Sequence, residues 1–426
     1  MKRFVFLFAQ VFLLTVPFQF ALVPYAGIDL PFTRVLAPAL FFAWLAEGMA
    51  SRRIDIPRSK TAAWLLILFF LLSFSIFFAA ESSWAYRRAT FFLSYAPLYL
   101  VFSSLSRRHG PEGVRRLLQA FVFGAALSAV VAIVESMAQL YVGAPVAYHF
   151  WIDRVLPFFL GPGFSEAVAE YPSLLAEVGG QTVLRASAFF PDPHMFSFYM
   201  GLALPVSVGL WHDSNSSRRV VFLVSSFLLL SADLLSFSRG GYVGMFVGLA
   251  LVAVLILRRL NIRKPQVALL LVLSMIGFLA VLNSPFRERF VSSFSLSEGS
   301  NTGRLSLFQG AVQDIASQPY GYGLGNYPLV VNPSAEYREP IYAHNLLLDI
   351  ATEAGIIASI TFFLAWLASF RRLLRFSNDI IPLSIAVSLA IFFGHSLFET
   401  PLYSVHVLPI LLLFLALPDA FGRIES

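Results

Sequence analysis

The chain contains no cysteine. Disulfides, thiolate nucleophiles and Cys-ligated zinc or iron–sulfur centres are therefore excluded. Charge is scarce as well: Asp, Glu, Lys and Arg make up 13% of the 426 residues, about half the share of an ordinary soluble domain. No Asp-x-Asp pair occurs, so the paired carboxylates that seat a divalent metal on a sugar nucleotide are missing. HExxH, GxSxG and Walker patterns are absent too. What is abundant is apolar surface: 58% of residues are apolar and 15% aromatic, with 45 Phe. A soluble protein of this length could not hide that much. The composition rules out a cytosolic enzyme, a disordered chain and a small secreted domain, and points to a polytopic membrane protein.

A spanning helix takes about 20 mostly apolar residues. Twelve candidates run near 4–23, 35–49, 61–80, 89–105, 117–141, 189–211, 219–237, 241–257, 266–284, 344–369, 380–398 and 402–418. The first is too long for a signal h-region and lacks a small-x-small cleavage site, so it reads as a helix. Lys and Arg are enriched in cytoplasmic loops. With Lys2 and Arg3 placed inside and the spans alternating, 20 of the 30 basic residues fall on the cytoplasmic side. The basic balance is then a topology signal, and a nucleic-acid face is the poorer reading. Both termini come out cytoplasmic, and the two long loops, 142–188 and 285–343, fall outside. The expected fold is an all-α bundle of about twelve spans, one membrane domain over 1–426. No internal repeat or linker divides it.

The outer loops carry amphipathic patterns. FSEAVAEYPSLLAEVGG suggests a helix lying along the membrane surface. Phe286, Phe290 and Phe294 share one helical face, and Leu305, Phe308, Val312 and Ile315 form another stripe, bracketed by Gly303 and Pro319 as stop signals. These helices either cap the bundle or roof a site where a lipid and a polar substrate meet. PYGYGLGNYP reads as a tight turn, with a backbone anion nest as the secondary reading.

With charge so rare, each charge at the outer face has to be explained. Arg239, in LLSFSRGGYVG, sits between two apolar segments with no loop to carry it into water. An arginine costs about 2.5–3.5 kcal/mol at mid-membrane and less toward the interface. It is either paired with Asp233 or Glu135, or it holds an anion at the membrane boundary. Arg304 opens an amphipathic stripe near an expected helix N-terminus, where its charge opposes the helix dipole and a bound anion would relieve both. The alternative is an ordinary solvated loop residue. Arg185 is a weaker candidate of the same kind. His344, in YAHNLLLD, lies where the second loop re-enters the membrane, and an imidazole can act as a base at neutral pH. A lone His is more often structural, and His194 and His395 occupy weaker positions still. Arginine, arginine and histidine together suit a donor with a phosphate leaving group and a hydroxyl acceptor, the arginines standing in for a metal.

The ordered set SFSRGGYVGMFVG, GRLSLFQGAVQDIASQPYGYGLGNYP and AHNLLLDIATEAGIIASITFFL resembles the O-antigen ligase and polymerase superfamily, and RASAFFPDPHMFSFYMGLALP is similar to the segment preceding that region. The resemblance covers about residues 185–370. It implies a membrane glycosyltransferase of the bacterial inner membrane. Its donor would be a glycan on undecaprenyl diphosphate and its acceptor a hydroxyl on the outer face, with inversion and without a metal or other cofactor. For a ligase the acceptor is a lipid A core sugar; for a polymerase it is a second lipid-linked repeat. The resemblance carries the diphosphate to Arg239 and Arg304 and the acceptor hydroxyl to His344. Ligase is the preferred reading and polymerase the alternative. A secondary transporter is the alternative of another class, disfavoured because no Gly/Pro-interrupted half-repeats are visible and the charge gathers at the outer face instead of the midplane.

Overall fold

The computed structural model describes residues 2–25, 28–170, 173–259, 299–339 and 341–421. The expected span at 266–284 and the face formed by Phe286, Phe290 and Phe294 lie outside them. The described chain is mostly helical. Helix α1 (Lys2–Thr15) leads into an antiparallel hairpin, β1 (Ala21–Tyr25) and β2 (Ile28–Pro31), followed by α2 (Thr33–Ala50), α3 (Lys60–Phe74), α4 (Ser82–Tyr95) and α5 (Leu98–Val142). Short helices α6 (Ala144–Phe150), α7 (Leu156–Leu160) and α8 (Pro162–Glu170) precede a second hairpin, β3 (Leu175–Val178) and β4 (Gln181–Leu184). Then come α9 (Pro193–Asp213), α10 (Ser216–Leu235), α11 (Arg239–Arg259), α12 (Gly299–Ser317), α13 (Tyr327–Val331), α14 (Leu346–Ala354), α15 (Ile356–Arg375), α16 (Ile380–Ser396) and α17 (Val407–Ala416).

Among the described residues, four helical stretches are long and apolar enough to cross a membrane: 60–78, 82–142, 193–213 and 356–375. Four shorter apolar helices accompany them, at 3–18, 239–255, 380–396 and 407–420. Several expected spans are cut differently. The 89–105 segment is divided between α4 and the first part of α5, while 117–141 lies in a helix of its own, because α5 is two helices that meet at Gly110, whose φ 60° and ψ −159° are not helical, ahead of Pro111. The 344–369 segment is two helices, because Gly355 at φ 89° ends α14 and starts α15.

Two further expectations are corrected. The segment expected as the first outer loop is not one surface helix. Gly179 and Gly180, both at positive φ, turn its second half into the β3–β4 hairpin, with Leu175 opposite Leu184 and Val178 opposite Gln181. Gly303 does not begin a helix either, since α12 runs through it from Gly299. Arg304 therefore sits in the second turn, away from the free N–H groups of the helix start.

The main core is an apolar cluster threaded by α5, α9, α16 and α17, with three smaller clusters beside it among the described residues. All ten residues of α17 are buried, as expected for a helix apolar all round. α11 packs tightly against α9 and α16 through small residues. A Cβ on Gly241 would lie 2.0 Å from Ser197 Oγ, and one on Gly244 would lie 2.7 Å from the Ile391 carbonyl oxygen.

The two ends of the bundle differ chemically. At one end, Arg108 pairs with Glu47 at 2.6 Å, Arg115 with Asp213 at 2.5 Å and Arg372 with Asp419 at 3.2 Å. At the other end, the starts of α9 and α11, the end of α16, the second hairpin and the segment before α14 converge around a cavity.

Candidate functional site

The turn from α10 to α11 sets Arg239. Phe237 takes φ 48°, which reverses the chain between the two helices. The Ser238 hydroxyl then accepts from the Gly241 N–H at 3.3 Å, an N-cap that makes Arg239 the first residue of α11. Arg239 is buried and lines the cavity.

His344 is set by the start of α14. Asn345 caps that helix, its side-chain oxygen accepting from the N–H groups of Leu347 and Leu348 at 3.1 and 3.2 Å. His344, immediately before the cap, takes φ 53°. A non-glycine residue rarely sits there, and such local strain is commonly stored at functional sites. Its Nδ1 lies 3.1 Å from Glu399 Oε2, and the Tyr342 ring meets it edge to face at 4.8 Å.

Glu399 is the hub. Arg304 Nη2 donates to its Oε1 at 2.6 Å, and His194 Nε2 is 3.8 Å from the same oxygen. Burial works to raise this carboxyl, but His194, His344 and Arg304 outweigh it and hold Glu399 below the usual carboxylate range. Asp349 locks the two partners together. It accepts from the Ala343 N–H at 2.6 Å and from the Thr400 hydroxyl, so it grips the neighbour of His344 and the neighbour of Glu399 at once. Asp192 caps α9 by accepting from the N–H groups of His194 and Met195, both at 2.8 Å. Burial pushes its carboxyl to about 6, with Glu399 adding to the rise and the Met195 N–H, Arg185 and the His194 N–H opposing it. Burial and the nearby carboxylates likewise push the Tyr342 phenol well above its usual value, leaving it a hydrogen-bond donor.

All four residues singled out from sequence, Arg185, Arg239, Arg304 and His344, line this one cavity of about 470 Å³. Their roles differ. Arg185 donates to the carbonyls of Ser236 at 2.8 Å, Ser173 at 2.9 Å and Phe237 at 3.4 Å. It therefore ties the second hairpin to the α10–α11 turn. Arg239 does not rest on the acids considered for it: Asp233 accepts from Ser197 at 2.5 Å, and Glu135 accepts from Ser187 and Ala188. The glycine-rich segment is not an open anion nest. Its Tyr322 and Gly323 N–H groups donate to the carbonyls of Thr352 and Glu353 at the end of α14.

Sequence reasoning missed Glu399, Asp192 and Arg338. Arg338 also lines the cavity and pairs with Asp29 at 2.8 Å. Glu399 carried a signal: GHSLFETP places a carboxylate directly after an apolar span, where it needs a partner. Among the described residues, the lining holds four guanidinium groups and two carboxylates, with Arg304 paired to Glu399 and Arg338 to Asp29.

Fold and cavity together define a class: an apolar helical bundle with an arginine-rich cavity and a carboxylate-held histidine at one end. Residues 224–363 match the family model described as O-Antigen ligase, which supports placing the chain in the O-antigen ligase superfamily. The match supports glycan transfer of the ligase or polymerase kind, with lipid-linked glycan substrates, and with the apolar helices it points to a bacterial membrane protein. No curated protein matches the chain. Arg239, Arg304 and His344 fall within the matched residues; Arg185, Asp192, His194 and Glu399 fall outside.

Proposed function

We propose that the protein transfers a glycan from undecaprenyl diphosphate to a hydroxyl acceptor, a lipid A core sugar, on the outer face of the inner membrane. The observation that carries this reading is the convergence of Arg239, Arg304 and the His344–Glu399 pair on one cavity. Glu399 accepts at Nδ1 of His344, which leaves Nε2 as the basic nitrogen. In the proposed step, Nε2 takes the acceptor hydroxyl proton as the oxygen bonds to the anomeric carbon. The bond from that carbon to the phosphate oxygen breaks, and its electrons leave on the diphosphate. Arg239 and Arg304 meet that charge, and attack opposite the leaving group inverts the carbon. Arg185 is assigned a positioning role on the wall of the site.

The test is transfer by the purified full chain in detergent, with a lipid-linked glycan donor. His344→Ala should lower turnover by about 10²–10⁴-fold, the contribution of a general base. Arg239→Ala should chiefly raise the donor KM. Wild-type turnover in His344→Ala overturns the mechanism. Deleting the gene and separating the envelope glycans on a gel then identifies the acceptor. Loss of long chains from lipid A, with lipid-linked polymer retained, marks a ligase. Persistence of single repeats marks a polymerase, whose acceptor is a second lipid-linked repeat.

A further inference from the structure

The end of the bundle remote from His344 carries two adjoining cavities that the transfer reaction does not use. One, of about 600 Å³, is lined by Arg58, Lys60, Arg107, Arg371, Arg372 and Arg375 with a single carboxylate, Asp419. The other, of about 570 Å³, is an almost wholly apolar groove between α3, α5 and α17. Arg58 and Ser59 line both, so the charged chamber opens directly onto the groove.

Basic residues at this end also serve as topology signals, but the chain neutralises several of them itself. Arg107 pairs with Asp55 at 3.1 Å and Arg108 with Glu47 at 2.6 Å. Asp419 is already engaged by Arg372 at 3.2 Å and Ser103 at 2.5 Å. Arg58, Lys60, Arg371 and Arg375 are exposed and, among the described residues, have no acidic partner. Four cations around one chamber suit a bound anion.

The groove says what else that anion carries. It follows α3 from Ala62 to Leu72, eleven residues spanning about 15 Å of helix. That is about half the hydrocarbon thickness of a bilayer, the depth of one leaflet. Only 22% of the α3 span is buried in the protein, so the groove lies open on its flank. A polyprenyl donor bound for the His344 cavity does not fit this place. Arg371 is sixteen residues along α15 from Gly355, about 24 Å of helix toward the opposite end.

We propose that this end of the bundle binds an anionic phospholipid, with the phosphate among Arg58, Lys60, Arg371 and Arg375 and an acyl chain in the groove along α3. The proposal does not depend on the reaction assigned to the other end. It is tested on the full chain in non-ionic detergent by native mass spectrometry, with phosphatidylglycerol and phosphatidylethanolamine of matched chains added together. The wild type should retain phosphatidylglycerol over phosphatidylethanolamine by at least about fivefold, the factor that one basic residue contributes at an anionic surface. The combined variant Arg58→Gln, Lys60→Gln, Arg371→Gln and Arg375→Gln should lose that preference. Ala63→Trp, which fills the groove and leaves every charge in place, should lower bound phosphatidylglycerol by a similar factor. It decides the matter if the charge variant fails to insert. Equal retention of the two lipids by the wild type overturns the proposal, as does unchanged retention in Ala63→Trp. Thermal protection by inorganic phosphate as large as that by phosphatidylglycerol also overturns it, since the chamber would then be a plain anion pocket.

Discussion

At the scale of single residues, the site depends on which groups hold His344. Glu399 faces its Nδ1 and Arg304 at the same time, so Glu399→Gln keeps the shape but removes the charge that fixes the imidazole. Turnover should fall by about 10²–10⁴-fold, as for loss of the base it orients, while the donor KM moves much less. Asp349 acts one step further out as a positioning residue, through Ala343 and Thr400. Asp349→Ala should reduce kcat with little change in KM, and Asp349→Asn, which retains an acceptor for the Ala343 N–H, should recover part of the loss. A KM change without a kcat change would remove Asp349 from this role. Asp192 gives a pH signature. Its folded pKa of about 6 lies above the ordinary 3.8, so the folded protein holds this proton after the unfolded chain has released it. The Asp192 contribution to stability should therefore decline as pH rises from about 4 through 6 and level off above. Glu399 has the opposite sign: its contribution begins to be lost as pH falls below the ordinary 4.5, at the acid edge of that window. Asp192→Asn keeps an N-cap and removes the decline, so its Tm advantage in detergent should grow between pH 4 and 7. A constant difference across that range would contradict the assignment.

At the scale of elements, close packing of α11 on α9 and α16 fixes where Arg239 starts its helix. Gly244→Ala would press a methyl group against the backbone oxygen of Ile391, and Gly241→Ala would press one against Ser197. Each should destabilise the protein by about 1–3 kcal/mol, the usual range for overpacking. Gly310→Ala, with nothing within 4 Å, should instead be neutral or stabilise by about 0.5–1 kcal/mol. Thermal denaturation in detergent separates the two cases. The same elements show what a sequence can tell its reader. Helical character was legible because apolar runs near 20 residues have few other uses. The break inside the 344–369 run was not, because Gly355 acts through a φ value that composition does not reveal, whereas the turn at Gly110 falls where a connection between two runs was expected. Arg239, Arg304 and His344 stood out because charge is rare in this chain. Glu399 did not, because it lies 55 residues beyond His344 and only the packing of α16 against α9 and α11 brings it back. The β3–β4 hairpin was obscured by a helical spacing of Leu174, Leu175 and Val178, whereas in the strand Leu175 and Val178 face opposite sides and pack into different clusters.

At the scale of the whole molecule, charge is divided between two ends. The cavity end gathers arginines against Glu399 and Asp192, and the far end gathers the paired and unpaired basic residues around Asp419. Positive residues are retained on the cytoplasmic side during insertion, so this division predicts an orientation as well as a site. The absence of native cysteine makes the prediction clean to test, since any labelling must come from an introduced thiol. Ser334 is exposed four residues before Arg338, which lines the cavity, and Ser51 is exposed beside the Arg108–Glu47 pair at the far end. Ser334→Cys should react with a membrane-impermeant maleimide in intact spheroplasts. Ser51→Cys should react only after the membrane is opened. The reverse pattern would put the His344 cavity on the cytoplasmic side, where a glycan acceptor on the outer face could not reach it, and both the orientation and the proposed reaction would fall together. Labelling of both positions in intact spheroplasts would show instead that the two ends are not separated by a bilayer, and would remove the membrane-spanning reading of α9 and α15 on which the distance between the two ends depends.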